Sequence, residues 1–199
     1  PLAPFAGLGE VSLRVTARLD NGDDADALID PVVKEIRRRL GDAVYSESDE
    51  PLVVVVARLL KEQSQTMAVA ESITGGQICS ELVSVPGISP HLLEGRVVYT
   101  NAAKARLGVE EKTLDAHTAV SEEAAKEMAQ RIRETAGADI GLATTGVAGP
   151  GADEKGHPEG LSYVAVATCE EVRVRRMQMG GTRDRLRRVV TLAALDEVR

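Results

Sequence analysis

The sequence predicts an α/β protein: a three-layer α/β/α domain around a mixed sheet, preceded by a small α+β unit of β–α–β order. Three observations carry this. From residue 51 onward, short apolar runs of strand length alternate with stretches whose apolar residues recur at helical spacing. The last two such runs, Leu161–Thr168 and Val172–Gln178, are separated only by Cys169-Glu170-Glu171, too short for a crossover, so they form an antiparallel hairpin. The polar, acidic stretch Glu47-Ser48-Asp49-Glu50-Pro51 interrupts the pattern and reads as a linker, dividing the chain into residues 1–50 and 51–199.

In the first unit, Glu10–Leu19 alternates apolar and polar residues, as a strand with one buried and one wet face does. Asn21-Gly22-Asp23-Asp24 is a turn. Residues 25–40 place Leu28, Ile29, Val32, Val33, Ile36 and Leu40 on one side of a helix that Gly41 stops. Ala43-Val44-Tyr45-Ser46 is expected to return as a strand. In the second unit the expected order is helix 51–63, strand 66–70, helix 76–84, strand 95–99, helices near 102–107 and 121–136, strand 140–144, a loop over 145–160, the hairpin, and a helix from about Thr182.

Composition narrows the function classes. Of 199 residues, 43% are hydrophobic but only 2% aromatic, so the core must be built from Val, Leu, Ala and Ile, and each of the three Tyr merits inspection. A net charge of −7 and the scarcity of stacking side chains argue against a nucleic-acid or anionic-membrane binder, and residues 1–50 carry no G-x-x-G loop. Cys79 and Cys169 lie far apart and lack metal-ligand spacing, so neither a disulfide framework nor a metal centre is expected, and a reduced, cytoplasmic setting is. No apolar run is long enough to span a bilayer. The chain begins at Pro1 without a signal-like segment, as expected of a fragment or processed chain.

Four polar clusters fall at ends of expected strands or starts of helices. Ala70-Glu71-Ser72-Ile73-Thr74-Gly75-Gly76 joins a strand to a helix through a glycine turn, which exposes Ser72 and aims main-chain N–H groups at a ligand. Ser72 is the candidate nucleophile; the plain alternative is a turn capped by a hydroxyl. Tyr99-Thr100-Asn101-Ala102-Ala103-Lys104 follows another strand, and an amine at Lys104 held away from water could accept a serine proton, with the Tyr99 hydroxyl steadying either group. A solvated Lys and a space-filling Tyr are the alternative. Thr144-Thr145-Gly146-Val147-Ala148-Gly149-Pro150-Gly151 allows close approach of backbone to a ligand but lacks the Gly-Lys-Ser/Thr ending of a triphosphate-binding loop. Gly180-Gly181-Thr182-Arg183 precedes the last helix, with Thr182 as a cap and Arg183 placed to meet a phosphate.

Taken in order, Ala70-Glu71-Ser72-x-Thr74-Gly75-Gly76, Tyr99-x-Asn101-x-x-Lys104, His117-x-Ala119-Val120-Ser121-Glu122, Thr145-Gly146-Val147-Ala148-Gly149-Pro150 and Gly181-x-Arg183 resemble the CinA carboxy-terminal family over about residues 52–199, and residues 1–50 resemble the small KH-like segment that precedes it in longer CinA chains. The resemblance implies a nicotinamide mononucleotide amidohydrolase that needs no cofactor. Ser72 would be the nucleophile, Lys104 the base and Tyr99 the supporting hydroxyl. Thr74, Gly75 and Gly76 would supply oxyanion donors, and Asn101, Thr145, Gly146, Gly149 and Arg183 would bind the mononucleotide. It also implies a homodimer or higher homo-oligomer and a piece of a longer CinA chain. The chain departs from the family pattern at His157, where Lys is often found before the Pro, and at Ile73, where Cys is frequent.

Two other readings use the same residues. A Ser–Tyr–Lys set resembles that of short-chain dehydrogenases, but there Tyr and Lys are four apart, whereas here 104 − 99 = 5, and no G-x-G-x-x-G is present. A non-catalytic mononucleotide-binding module would keep Lys104 charged.

Overall fold

The computed structural model describes residues 1–20 and 24–199. The expected turn at Asn21-Gly22-Asp23 lies outside the described residues. Backbone proximity divides the chain into Pro1–Glu50 and Pro51–Arg199.

In the first unit, β1 (Leu2–Ala6) pairs antiparallel with β2 (Val11–Val15), and α1 (Ala25–Leu40) follows. Asp24 caps α1 by accepting from the Asp26 N–H at 3.0 Å, and Gly41 ends it with φ +53°. The order is therefore β–β–α, a correction to the expected β–α–β. The run Ala43–Ser46 leaves a short 3-10 turn at Gly41–Ala43 and forms no strand; the Tyr45 hydroxyl instead donates to Glu10 at 2.7 Å. The missing strand is β1, masked in the sequence by Pro1 and Pro4, and Pro4 is tolerated because a two-stranded ribbon leaves one hydrogen-bonding edge of each strand free.

The second unit runs α2 (Leu52–Glu62), β3 (Met67–Glu71), α3 (Gln77–Val83), β4 (Leu92–Val97), α4 (Asn101–Leu107), α5 (Glu111–His117), α6 (Glu122–Ala136), β5 (Ile140–Gly146), β6 (Leu161–Ala167), β7 (Val172–Gln178) and α7 (Arg183–Val198). The five strands are ordered β4-β3-β5-β6-β7, with β3 parallel to both neighbours and β5-β6-β7 antiparallel, so the sheet is mixed. Helices α2, α3 and α7 pack together on one face, and α4, α5 and α6 on the other. Helix α5 was not expected: of its seven residues only Thr113 and Leu114 are buried, too little apolar pattern to register as a helix. Strand β4 begins and ends earlier than expected, leaving Tyr99 in the connection to α4.

Strand alternation sorts the core. Ala68, Ala70, Ala143, Ala165 and Ala167 face Ala124, Ala125, Met128, Ala129 and Ile132 of α6, while Met67, Val69 and Leu142 turn to the opposite face. Small side chains on both sides let α6 lie close to the sheet. At Gly141 the approach is closest, since a methyl group there would overlap the Ala129 carbonyl oxygen. No helix among the described residues is long and apolar enough to cross a membrane.

Candidate active site

The site is built at the carboxyl ends of β4, β3 and β5, the edge where parallel strands present ligand-binding groups. Ser72 continues β3, its N–H donating to the Thr144 carbonyl at 3.0 Å. Two-residue alternation from Ala68 and Ala70 turns the Ser72 side chain toward the face covered by α4 and α6. From that face comes Lys104. Thr100 caps α4 by accepting from the Ala103 N–H at 3.1 Å, and this start puts Lys104 on the inward side of the first turn, only 1% exposed.

The Lys104 Nζ lies 3.0 Å from Ser72 Oγ, 3.0 Å from the Val98 carbonyl oxygen and 3.4 Å from the Tyr99 carbonyl oxygen. Among the described residues its hydrogen-bond partners are thus one hydroxyl and two main-chain carbonyls, with no carboxylate. Burial without a counter-charge lowers its pKa from 10.5 to about 8. A neutral amine fits these partners: two N–H groups for two carbonyls and one lone pair for the serine hydroxyl. Ser72 itself is 7% exposed.

Tyr99 plays a different part from the one expected. Its carbonyl, not its phenol, reaches Lys104; Tyr99 is 60% exposed, and its phenol oxygen accepts from Arg183 at 3.0 Å. Arg183, in the first turn of α7, also donates to the Gly149 carbonyl at 2.7 Å. Tyr99 follows β4 and Gly149 follows β5, and the strand between them, β3, ends just before Ser72, so the guanidinium bridges the segments that follow the two strands on either side of β3.

The glycine turn is also altered. Gly75 and Gly76 take φ of +59° and +96°, which only glycine adopts readily, but the Gly76 N–H donates to the Glu71 carboxylate at 2.8 Å instead of facing a ligand. The N–H groups of Ile78 and Cys79 go to the same carboxylate at 3.2 and 2.9 Å. Among the described residues, the main-chain N–H groups of Ile73, Thr74 and Gly75 have no hydrogen-bond partner. The Thr74 hydroxyl is turned inward onto that of Thr144 at 2.8 Å, and Arg187 donates to the Thr74 carbonyl at 2.9 Å. The Cys79 thiol, half-buried beside Glu71, is pushed up to about 12, chiefly by desolvation and then by the carboxylate, so it stays protonated.

The remaining expected binding residues fall into two groups. Thr145 shares the Ser72 face of the sheet, but its hydroxyl is tied to the Ala119 carbonyl at 2.6 Å. Gly146 admits no side chain, because a Cβ would press on the Leu161 carbonyl and the Ile73 side chain; Gly149, at φ +76°, has no room beside Glu159. Asn101 stands exposed at the start of α4 with no side-chain partner among the described residues. At the position of the expected departure, His157 Nδ1 meets Asp153 at 2.8 Å and its Nε2 meets the Thr118 hydroxyl at 3.2 Å. Among the described residues no cluster of three or more His, Cys, Asp and Glu is arranged to hold a metal.

Sequence reasoning did not single out Glu71, Arg187, Asp153 or Thr118. For Glu71 a signal existed, a carboxylate at the end of an uncharged strand just ahead of a glycine turn, though capping from five residues upstream has no standard spacing. The others depend on contacts across the fold.

Comparison with known proteins identifies the family. The CinA C-terminal domain family matches residues 49–199, and the damage-inducible protein CinA KH domain family matches residues 1–46. A CinA-like protein of Kosmotoga olearia is 44% identical over 199 residues, covering 100% of this chain and 48% of its own length. A crystal structure of a competence-damaged protein (CinA) superfamily protein from Klebsiella pneumoniae is 33% identical with a TM-score of 0.70, covering 73% of this chain and 94% of that one. A second such protein, from Escherichia coli, is 28% identical with a TM-score of 0.71, covering 78% of this chain and 94% of that one. The chain thus spans about half the length of the curated relatives it matches. With both family matches in chain order and the solved relatives sharing the fold, this chain belongs to the CinA family of competence/damage-inducible proteins.

Proposed function

We propose that this chain is an amidohydrolase that converts nicotinamide mononucleotide and water to nicotinate mononucleotide and ammonia. One observation carries the reading: a buried amine with no counter-ion lies 3.0 Å from a nearly buried serine hydroxyl. That is the arrangement of a lysine general base and its nucleophile.

In the proposed reaction the Ser72 oxygen attacks the carboxamide carbon as its proton passes to Lys104 Nζ. The cationic pyridinium withdraws electrons and makes that carbon easier to attack. The tetrahedral oxyanion is held by the free N–H groups of Thr74 and Gly75. Lys104 returns the proton to the departing nitrogen, ammonia leaves, and a nicotinyl ester remains on Ser72. Water then attacks the ester as Lys104 takes its proton, Lys104 returns that proton to the departing Ser72 oxygen, and the product leaves as a carboxylate whose acid proton goes to solvent. Arg183, held by Tyr99 and Gly149 at the segments that follow β4 and β5, is the group that would receive the phosphate.

Ammonia release from nicotinamide mononucleotide, measured with the chain and with Ser72→Ala, tests the reading. Turnover by the chain that is lost in the variant is expected. Binding of the mononucleotide without turnover would leave the non-catalytic module in its place.

The reading includes a homo-oligomer, supported by the exposed apolar residues Leu93, Val97 and Tyr99 along and beyond the edge strand β4. Light scattering is expected to return a multiple of 21.1 kDa; a monomer at assay concentration removes this part.

A further inference from the structure

Glu71 is the last residue of β3 and is fully buried, yet no step of the proposed reaction uses it. A carboxylate without solvent must find donors or lose its charge. This one finds three, all on the main chain: Gly76 N–H at 2.8 Å and Ile78 N–H at 3.2 Å on one oxygen, and Cys79 N–H at 2.9 Å on the other. These are donors that the start of a helix leaves unpaired, and the N-cap residue Gly76 has no side chain with which to serve them.

The position of Glu71 gives these bonds a second consequence. Its own backbone is locked into the sheet, with its carbonyl accepting from the Val98 N–H at 2.8 Å, and the next N–H, that of Ser72, donates to Thr144 at 3.0 Å. Its carboxylate is locked to Gly76 and the first turn of α3. The segment between these anchors, Ser72-Ile73-Thr74-Gly75, is a closed loop holding the serine oxygen and, among the described residues, three unpaired N–H groups, those of Ile73, Thr74 and Gly75. Two of its neighbours pin it further: Arg187 takes the Thr74 carbonyl and Thr144 the Thr74 hydroxyl, which leaves the Thr74 N–H as that residue's free polar group.

We propose that Glu71 is a positioning residue for the reaction at Ser72. Its carboxylate takes up the N–H groups of Gly76, Ile78 and Cys79 that open α3. By closing the 72–75 loop it holds the Thr74 and Gly75 N–H groups where the oxyanion forms. The inference rests on the amide-hydrolysis reading for its reaction, but its geometry concerns any acyl transfer at Ser72.

The test compares Glu71→Gln with the unaltered chain in three measurements: steady-state kinetics with nicotinamide mononucleotide, inhibition by a tetrahedral boronate of the pyridinium ring, and thermal unfolding. Glutamine keeps the shape but replaces one acceptor oxygen with a donor that faces N–H groups. The expected result is a fall in kcat of tenfold or more with KM within about twofold, matched by an equal loss of boronate affinity, while the protein remains folded at the assay temperature. Unchanged kcat overturns the inference, as does a loss of kcat that only tracks the unfolded fraction. If Glu71→Gln is unfolded, Glu71→Asp, charged but one methylene short, is read in the same assays by the same criteria. If the unaltered chain does not turn over the mononucleotide, the functional reading fails by itself, and the inference is read on the rate at which a fluorophosphonate labels Ser72. Slower labelling of Glu71→Gln supports it, and equal labelling overturns it.

Discussion

Arg183 donates to the Tyr99 hydroxyl at 3.0 Å although 84 positions separate the two residues. The same guanidinium holds the Gly149 carbonyl, so a cation from the last helix is fixed between the segments that follow β4 and β5, by groups that among the described residues are neutral. An arginine held by a phenol and a carbonyl keeps its full charge available to an anion.

If that anion is the substrate's phosphate, Arg183→Ala raises KM for nicotinamide mononucleotide by about tenfold to a hundredfold and changes kcat by less than about threefold. The control is nicotinamide riboside, which has no phosphate. The difference between the two proteins should vanish with it; an equal penalty on both compounds would place the phosphate elsewhere.

Ser72→Ala is expected to lower kcat by about a thousandfold or more while leaving mononucleotide binding intact, as removal of a nucleophile does. The unaltered chain, quenched during turnover, should show by mass spectrometry a nicotinyl adduct on the peptide containing Ser72. Persistent turnover in the alanine variant would assign the attack to water.

The pH dependence follows from the direction of the Lys104 shift. The amine acts as a base only when neutral, and its pKa is lowered to about 8. The kcat/KM should therefore rise as pH increases through about 8 and fall below it as the ammonium forms. A profile flat from pH 6 to pH 9 would show that no such base controls the reaction.

Stability carries the same signature with its own sign. Lys104 binds its proton less tightly folded than unfolded, so its desolvation cost is fully present below about pH 8 and is relieved as pH rises from there toward the unfolded value of 10.5. Lys104→Met removes the charge and keeps the volume. It is expected to raise stability at pH 7 by roughly 1–3 kcal/mol while abolishing turnover, read as a higher Tm in calorimetry. A lower Tm would mean that the amine's hydrogen bonds outweigh its burial.

Gly141→Ala probes the packing that supports the site. A methyl group there meets the Ala129 carbonyl oxygen and must push α6 from the sheet, at an expected cost of about 2–3 kcal/mol in denaturant unfolding. A change below about 0.5 kcal/mol would show that the helix moves freely.

The outline of the second unit was legible because its elements differ in period: strands 3, 5, 6 and 7 and helices 2, 3, 4, 6 and 7 fall within about two residues of where apolar spacing places them. Short elements with few buried residues were not. Helix α5 buries two side chains, and β1 contains a proline, so neither carries a pattern that local reasoning can read. In the site, Ser72 and Lys104 were legible because each sits where a strand gives way to a helix. The bond of Arg183 to Tyr99 and that of Glu71 to Gly76 were not, since each is the outcome of where a helix start lands relative to a strand end.

By itself the sequence determined that an α/β sheet would form, which segments would be its strands, and which polar residues would stand at its edge. These are local consequences of side-chain period, glycine and capping chemistry. Only the tertiary structure decided the order of the strands, and with it which edge residues meet. Sheet order brings Tyr99, Ser72 and Gly149 side by side, α4 carries Lys104 into a place without counter-charge, and Glu71 claims the donors that a free helix end would have offered to a ligand. The physical reason is that burial and hydrogen bonding depend on what lies nearby in space, whereas periodicity depends only on what lies nearby in the chain.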